Sequence, residues 1–349
     1  MKLCTQALLL ACLASVSAGC GGPRRTTGGT ALENVTAEDD RRDSAVRPTG
    51  WSSAGKTAPV RAALSLFDRD MNAVVAVDFA AFTKSRVYDE YQTLINNVLF
   101  AEDSNFKQMY ELRGACGFHP LTEIKTVVAG GVAETDLNIA DWLVVIHGLS
   151  RARFVQCSEA MAERYGGEIV ERGEFTRVTN RRGYLSWVLW LDADTMAFRE
   201  SVDDKAWRAR LSARDDQRGH HDLLDILQKT EQDSVLWYAI RPTEGVTVPP
   251  GNPLLPTDIV YTAIYGWGQA ADGLQLHAAV RIGSDEQART FHEYLVEKLK
   301  EFQPMLDMIG LSQAGGGMQA HTEEADVWVS LRLSMSELRQ IVRVMKDLN

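Results

Sequence analysis

Residues 274–283 read LQLHAAVRIG. Leu274, Leu276, Ala278, Val280 and Ile282 fall on one side of an extended chain, and Gln275, His277 and Arg281 fall on the other. Alternation with period two marks a strand buried on one face, with the second face the wetter one. The period then changes. Ala288, Phe291, Leu295, Leu299 and Phe302 recur at helical spacing, and Ser284 with Gln287 makes a capping box, so the strand leads into a helix over 284–302. Strands are predicted next at MQAHTEE (318–324) and DVWVSLRL (326–333). A terminal helix starts at Met335, opened by Ser334 and Glu337 and striped by Leu338, Ile341, Met345 and Leu348.

The same order stands earlier in the chain. WLVVIHG (142–148) predicts a strand, and a helix runs from about Ser150 to Tyr165. Strands at EFTRVTN (174–180) and YLSWVLWL (184–191) come next, then a helical stretch near 200–212. SRARF from Ser150 answers SDEQARTF from Ser284, and SWVLWL from Ser186 answers VWVSLRL from Val327. Two strands precede each set: NAVVAVDF (72–79) and KTVVAGG (125–131) in one half, SVLWYAI (234–240) and DIVYTAIYGW (258–267) in the other. The first half adds helices around 85–98 and 105–115. The pattern predicts an internally duplicated α+β chain of mostly antiparallel sheet, with helices packed on one face. The units are 59–215 and 216–349. The strand of Trp187 should then overlay that of Trp328, with Phe154 and Phe291 buried at equivalent points.

Aromatic residues crowd the predicted strands. In the strand 259–267, Tyr261, Tyr265 and Trp267 share a face with Ile259 and Ala263. With Trp237 they could line a groove for an acyl chain or another hydrophobic ligand, or they could fill the core beneath the helices.

Signals of chemistry are sparse. Asp68-Arg69-Asp70 opens like a calcium loop, but the sixth and twelfth positions hold Ala73 and Phe79 where Gly and Glu are needed, so a polar turn is the better reading. Asp192 and Asp194 sit where a hairpin would turn. His220 and His221 lack further ligands at zinc spacing. GWGQAADG (266–273) and Gly315-Gly316-Gly317 lead into strands, so no helix N-terminus awaits a phosphate. No nucleophile elbow occurs. No catalytic residue, metal or cofactor is assigned.

The 349 residues carry a formal net charge of −10 and are 45% hydrophobic. No Lys/Arg stripe with interleaved aromatics is present, which argues against a nucleic-acid partner. Of the five cysteines, Cys116 and Cys157 lie in the body. They could pair in an oxidising compartment, or each could be a small buried hydrophobe, Cys157 continuing the apolar face of Phe154, Met161 and Tyr165.

The N-terminus supplies an address. Lys2, an apolar run from about Ala7 to Val16, and then Ser17, Ala18, Gly19 and Cys20 describe a secretory signal over 1–19. SAGC resembles the lipobox of bacterial lipoproteins, with Ser17 standing where an aliphatic residue is usual. An ordinary cleavage after Ala18 fits the same letters. The segment 21–58 favours the lipoprotein reading, because it is rich in Gly, Thr, Ser and mixed charge and reads as a tether after a lipidated Cys20. The resemblance implies a bacterial envelope protein held in a membrane by acyl chains; Gly21 rather than Asp favours the outer membrane, with the body in the periplasm. The leading expectation is a non-catalytic binding or assembly module with an envelope protein or lipid as partner. A hydrophobic-ligand carrier and a hydrolase with an unrecognised site are the alternatives.

Overall fold

The computed structural model of the chain describes residues 63–347 with the exception of 65, 69, 101–112, 134–138, 181–184, 201–204, 206–220, 231–233, 243–245, 248–258 and 309–317. In chain order its elements are β1 (Ala73–Asp78), α1 (Phe79–Phe82), α2 (Arg86–Phe100), α3 (Pro120–Glu123), β2 (Thr126–Ala133), β3 (Ile139–His147) and α4 (Arg151–Tyr165). There follow β4 (Gly167–Arg172), β5 (Phe175–Asn180), β6 (Leu185–Trp190), β7 (Thr195–Glu200), α5 (His221–Gln228), β8 (Leu236–Ile240) and β9 (Val246–Thr247). The last are β10 (Val260–Ala270), β11 (Gly273–Ile282), α6 (Asp285–Met308), β12 (Gln319–Glu323), β13 (Asp326–Ser334) and α7 (Met335–Asp347).

All these strands belong to one 13-stranded sheet, ordered β12-β13-β11-β10-β8-β1-β2-β3-β7-β6-β5-β4, with β9 beside β10. Each pairing is antiparallel. The chain is therefore mixed α+β, built on a large antiparallel sheet. Its two halves meet where β1 pairs with β8, Ala73 opposite Ile240 through Val77 opposite Leu236.

The sheet buries both faces. On the helix face, Val77, Val127, Val144, Ile146, Met196 and Phe198 pack beneath α1, α2, α3 and α4. At the other end of that face Ile282 and Val327 pack under Ala288, Phe291 and Leu295 of α6, and Leu333 packs under Leu338 and Ile341 of α7. The opposite face is closed differently. Val74, Val128, Val145, Trp237, Tyr265 and Trp328 lie under two short straps, the segment 63–71 and helix α5 with Leu223, Ile226 and Leu227. Helices on one face, as expected, describes α1 to α4, α6 and α7; α5 packs on the other side.

The straps fit closely. Phe67 lies across Gly130, where an added Cβ would come within 2.5 Å of its ring. Only a glycine admits that approach. Each strap is also tied by charge: Arg199 of β7, itself buried, pairs with Asp68, and Arg281 of β11 reaches Asp225 of α5 at 2.7 Å.

The capping signals form the bonds their residues imply. Ser150 caps α4 by accepting from Arg153 N, and Gln287 N donates to Ser284 Oγ at 3.3 Å. Ser334 N donates to Glu337 Oε2 at 2.7 Å while Glu337 N donates back to Ser334 Oγ, completing a capping box at α7. Cys116 and Cys157 form a disulfide with a Cα–Cα distance of 5.0 Å, joining the segment before α3 to α4.

β7 and β4 carry no clear sequence signal. β7 buries Met196 and Phe198 on one face and Ala197 and Arg199 on the other, so it lacks polar alternation. β4 is an edge strand, GEIVER, with too little apolar content to announce itself. β7, not the strand of Trp187, lies beside β3 in the place that β13 takes beside β11. The overlay of Trp187 on Trp328 is corrected accordingly, and β4–β5 is a hairpin at the sheet's end. Phe291 is buried against Tyr261, whereas Phe154 is only half-buried against Trp190. The helical stretch expected near 200–212 lies largely outside the described residues.

Candidate functional site

Trp237, Tyr261, Tyr265 and Trp267, the residues of the expected groove, do not line one. A bulge in β10 between Tyr261 and Ala263 shifts the register against β11, and alternation breaks there. Tyr261 turns to the helix face and packs edge-on against Phe291, with ring centroids 5.9 Å apart. Tyr265 and Trp267 point to the strap face, where Tyr265 meets Trp328 edge-on at 5.1 Å and Trp267 meets it at 5.2 Å. Trp237, Tyr261 and Tyr265 are 3%, 1% and 0% exposed, so these side chains occupy the core themselves. Trp267 alone of the four is half-buried.

Beside this cluster stands a network of ion pairs. Asp326, 1% exposed, accepts from Arg281 Nε at 2.8 Å and from Lys229 Nζ at 2.6 Å. Arg281 also reaches Asp225, which takes Arg241 at 3.1 Å. Burial pushes the Asp326 carboxyl upward, but the hydrogen bonds from Arg281 and Lys229 outweigh it and hold the group below the usual carboxylate range. The Trp328 indole N–H is buried nearby with no hydrogen-bond partner among the described residues, and the Tyr265 hydroxyl is buried close to Asp326. Burial raises the pKa of that phenol far above its usual value, which keeps it neutral. These ion pairs tie α5 to the sheet.

A second titratable cluster sits at the β6–β7 turn. His147 Nδ1 lies 3.0 Å from Thr195 Oγ1 and 3.6 Å from Asp194. One nitrogen serves both neighbours, so imidazole cannot pass a proton from hydroxyl to carboxylate as a catalytic triad does. Asp192 accepts from Asp194 N at 2.9 Å, the local bond of a turn. A shallow groove of about 760 Å³ lies alongside, lined by Ser150, Val155, Gln156, Glu159 and Glu171 among others; its Arg151 is paired to Glu171 at 2.8 Å. Asp68 and Asp70 belong to the strap and turn before β1, not to a calcium loop. His221 opens α5, while Cys20, His220 and Gly315-Gly316-Gly317 lie outside the described residues. Among the described residues no three His, Cys, Asp or Glu side chains converge as a metal site requires, and no helix is long and apolar enough to cross a membrane.

Past the end of α5, the strap face carries polar side chains in rows across β10, β11, β13 and β12. In one row Trp267 opposes His277, His277 opposes Ser330, and Ser330 opposes Gln319. In the next Gln269 opposes Gln275, and Gln275 opposes Arg332. The rings of Trp267 and His277 stack 4.7 Å apart at 11°. Arg332, Gln319 and the neighbouring His321 are exposed, and the other members are half-buried. Among the described residues, the side chains of Gln275, Ser330 and Arg332 make no hydrogen bond or ion pair. The wetter face of 274–283 is the sequence signal for these rows; which strands stand beside it is not written in that segment.

The described residues define a mixed α+β protein on one large antiparallel sheet. No protein-family model matches the chain, and no curated protein matches it. It is similar to two solved structures, crystal forms III and I of TP0453, each at 11% identity with a TM-score of 0.46. The likeness covers 80% of this chain and 96% of that one for form III, and 81% and 97% for form I. A likeness at that score carries no inference to this chain.

Proposed function

We propose that this protein is a membrane-anchored lipoprotein of the bacterial cell envelope, acting as a non-catalytic binding or assembly module in the periplasm at the outer membrane. The observation that carries the reading is SAGC at 17–20, set between an apolar run and a tether-like segment. Several acyl chains at about 0.8 kcal/mol per buried methylene make such an anchor effectively permanent. The titratable clusters of the body support the non-catalytic part, because Asp326, Arg281, Lys229 and Asp225 neutralise one another and hold a helix in place.

The body is read as a duplicated unit. Each half has a short apolar segment on the strap face, then a three-stranded antiparallel run (β1-β2-β3, β8-β10-β11), then a helix on the helix face. In both halves an arginine from the sheet ties the segment through an aspartate. Intact-mass measurement of envelope-extracted protein tests the anchor: added acyl mass on a chain starting at Cys20, and release of Cys20→Ser into the soluble fraction, are the expected results. An unmodified mature chain starting at Gly19 overturns it.

A further inference from the structure

We propose that edge strand β4 is a self-docking surface, and that two copies of this chain pair antiparallel through it so that one sheet continues into the next. The inference rests on the assembly-module reading above and names the partner as a second copy. β4 pairs with β5 on one side, and among the described residues no strand pairs with its other side. A row of N–H and C=O groups on such an edge is a template that another strand completes. The sheet's other end is less open, because the Ala320 carbonyl of β12 accepts from His292 Nε2 of α6 at 3.1 Å.

The side chains of β4 single out the occupant. Glu168, Val170 and Arg172 share the strap face: Val170 stands opposite Arg177, Arg177 stands opposite Trp187, and the Arg172 guanidinium lies 6.0 Å from the centre of the Trp187 ring. Glu168 and Arg172 are exposed, and Val170 is half-buried between them. Two identical strands that extend one sheet antiparallel are related by a two-fold axis normal to it. One residue then faces its own copy, and only residues of the same face meet. With the axis through Val170, each Glu168 meets the second copy's Arg172, Ile169 meets Glu171, and no like charges are opposed. An axis through Glu168, Glu171 or Arg172 sets like charges against each other, and one through Gly167 or Ile169 pairs no opposite charges. Charges on an edge strand repel most other strands. These admit one partner in one register, which is specificity by charge. The pairing breaks no bond already made, since Glu171 keeps Arg151 at 2.8 Å and Glu168 keeps Arg177 at 2.9 Å.

The test uses the exported chain carrying Cys20→Ser, so that no micelle adds to its mass, and reads its association by sedimentation equilibrium. A concentration-dependent dimer is the expected result. Glu168→Arg or Arg172→Glu alone opposes like charges and should weaken the dimer about tenfold or more. The two single variants mixed should form a one-to-one heterodimer, because each supplies the charges that the other lacks. Val170→Cys, on the axis, should link two copies by a disulfide, and Val260→Cys, exposed on β10, should not. Melting curves confirm that each variant is folded. A protein that stays monomeric throughout, its edge then left to a strand of a different protein, overturns the proposal. So does a dimer that Glu168→Arg and Arg172→Glu leave unchanged, or a mixture of the two variants that stays monomeric. Each of these results leaves the anchor reading intact, because that reading is judged by mass and fractionation.

Discussion

Arg281 and Asp326 stand opposite each other on β11 and β13, and the guanidinium Nε meets carboxylate Oδ1 at 2.8 Å. Neither charge would be tolerated in this position alone. Asp326 is buried, and the loss of water is offset by two partners, Arg281 and Lys229, while Asp225 pairs with the far side of Arg281. The network holds the α5 strap over the aromatic core of the sheet and so links these ion pairs to the packing.

Removing one member should show this. Asp326→Ala leaves Arg281 and Lys229 facing an apolar hole, and the expected loss is about 3–5 kcal/mol in a denaturant titration. The pH dependence has a definite sign. The folded pKa of Asp326 lies below its unfolded value, so its stabilisation is complete above the unfolded pKa of about 3.9 and is lost as pH falls through the folded value. Stability curves of wild type and Asp326→Asn measured between pH 6 and pH 2, a range of about four units around that value, should converge in acid. Parallel curves would remove Asp326 from the account.

The disulfide invites a separate measurement. Cys116 and Cys157 are 41 residues apart, and closing a loop of that length in the unfolded chain is worth about 4 kcal/mol in the entropic description. Cys116→Ser with Cys157→Ser, or reduction of the wild type, should lower stability by about 2–4 kcal/mol. Thiol titration of unfolded, envelope-extracted protein should find no free thiol if Cys20 is acylated. Equal stability with and without reductant contradicts the expectation.

The strands and helices of the second half are legible in the sequence because their patterns are clean. The alternation of 274–283, the stripe of 284–302 and the Ser334–Glu337 box all become what their periods imply. The aromatic groove fails because the straps cover Trp237 and Tyr265 and because Tyr261 turns to the other face. A single bulge at Tyr261–Ala263 reverses which face the preceding residues point to, and no residue type there announces it. β7 is silent because a strand buried on both faces has no polar beat. The order of strands in the sheet is a property of long-range pairing, and pattern within one segment does not encode it. The polar rows depend on that order, since Trp267, His277 and Arg332 come from three different strands.

Phe154 and Phe291 should differ in cost. Phe291 is 1% exposed between α6 and Tyr261, so Phe291→Ala should lose about 3–5 kcal/mol. Phe154 is half-buried on α4, stacked edge-on to Trp190 at 5.6 Å, and truncation there should cost roughly half as much. Equal losses in matched denaturant titrations would show that α4 and α6 are anchored alike despite their unequal burial.

The sharpest mechanical prediction concerns the seam. β1 and β8 pair over five residues from each strand, and Trp237 of β8 stands opposite Ala76 in the same core cluster. Cutting the chain between units 59–215 and 216–349 leaves that pairing as their principal backbone link. Expressed alone, 216–349 would present the whole length of β8 as an open edge, a template for another copy. It should therefore self-associate in a concentration-dependent manner in sedimentation experiments. Co-expressed with 59–215 as a separate chain, it should instead purify as a one-to-one complex, because β1 restores the lost hydrogen bonds and covers the apolar strip around Trp237. A monomeric 216–349 with a cooperative melt of its own would show that each unit closes its core without the shared sheet, and that the seam joins two finished domains.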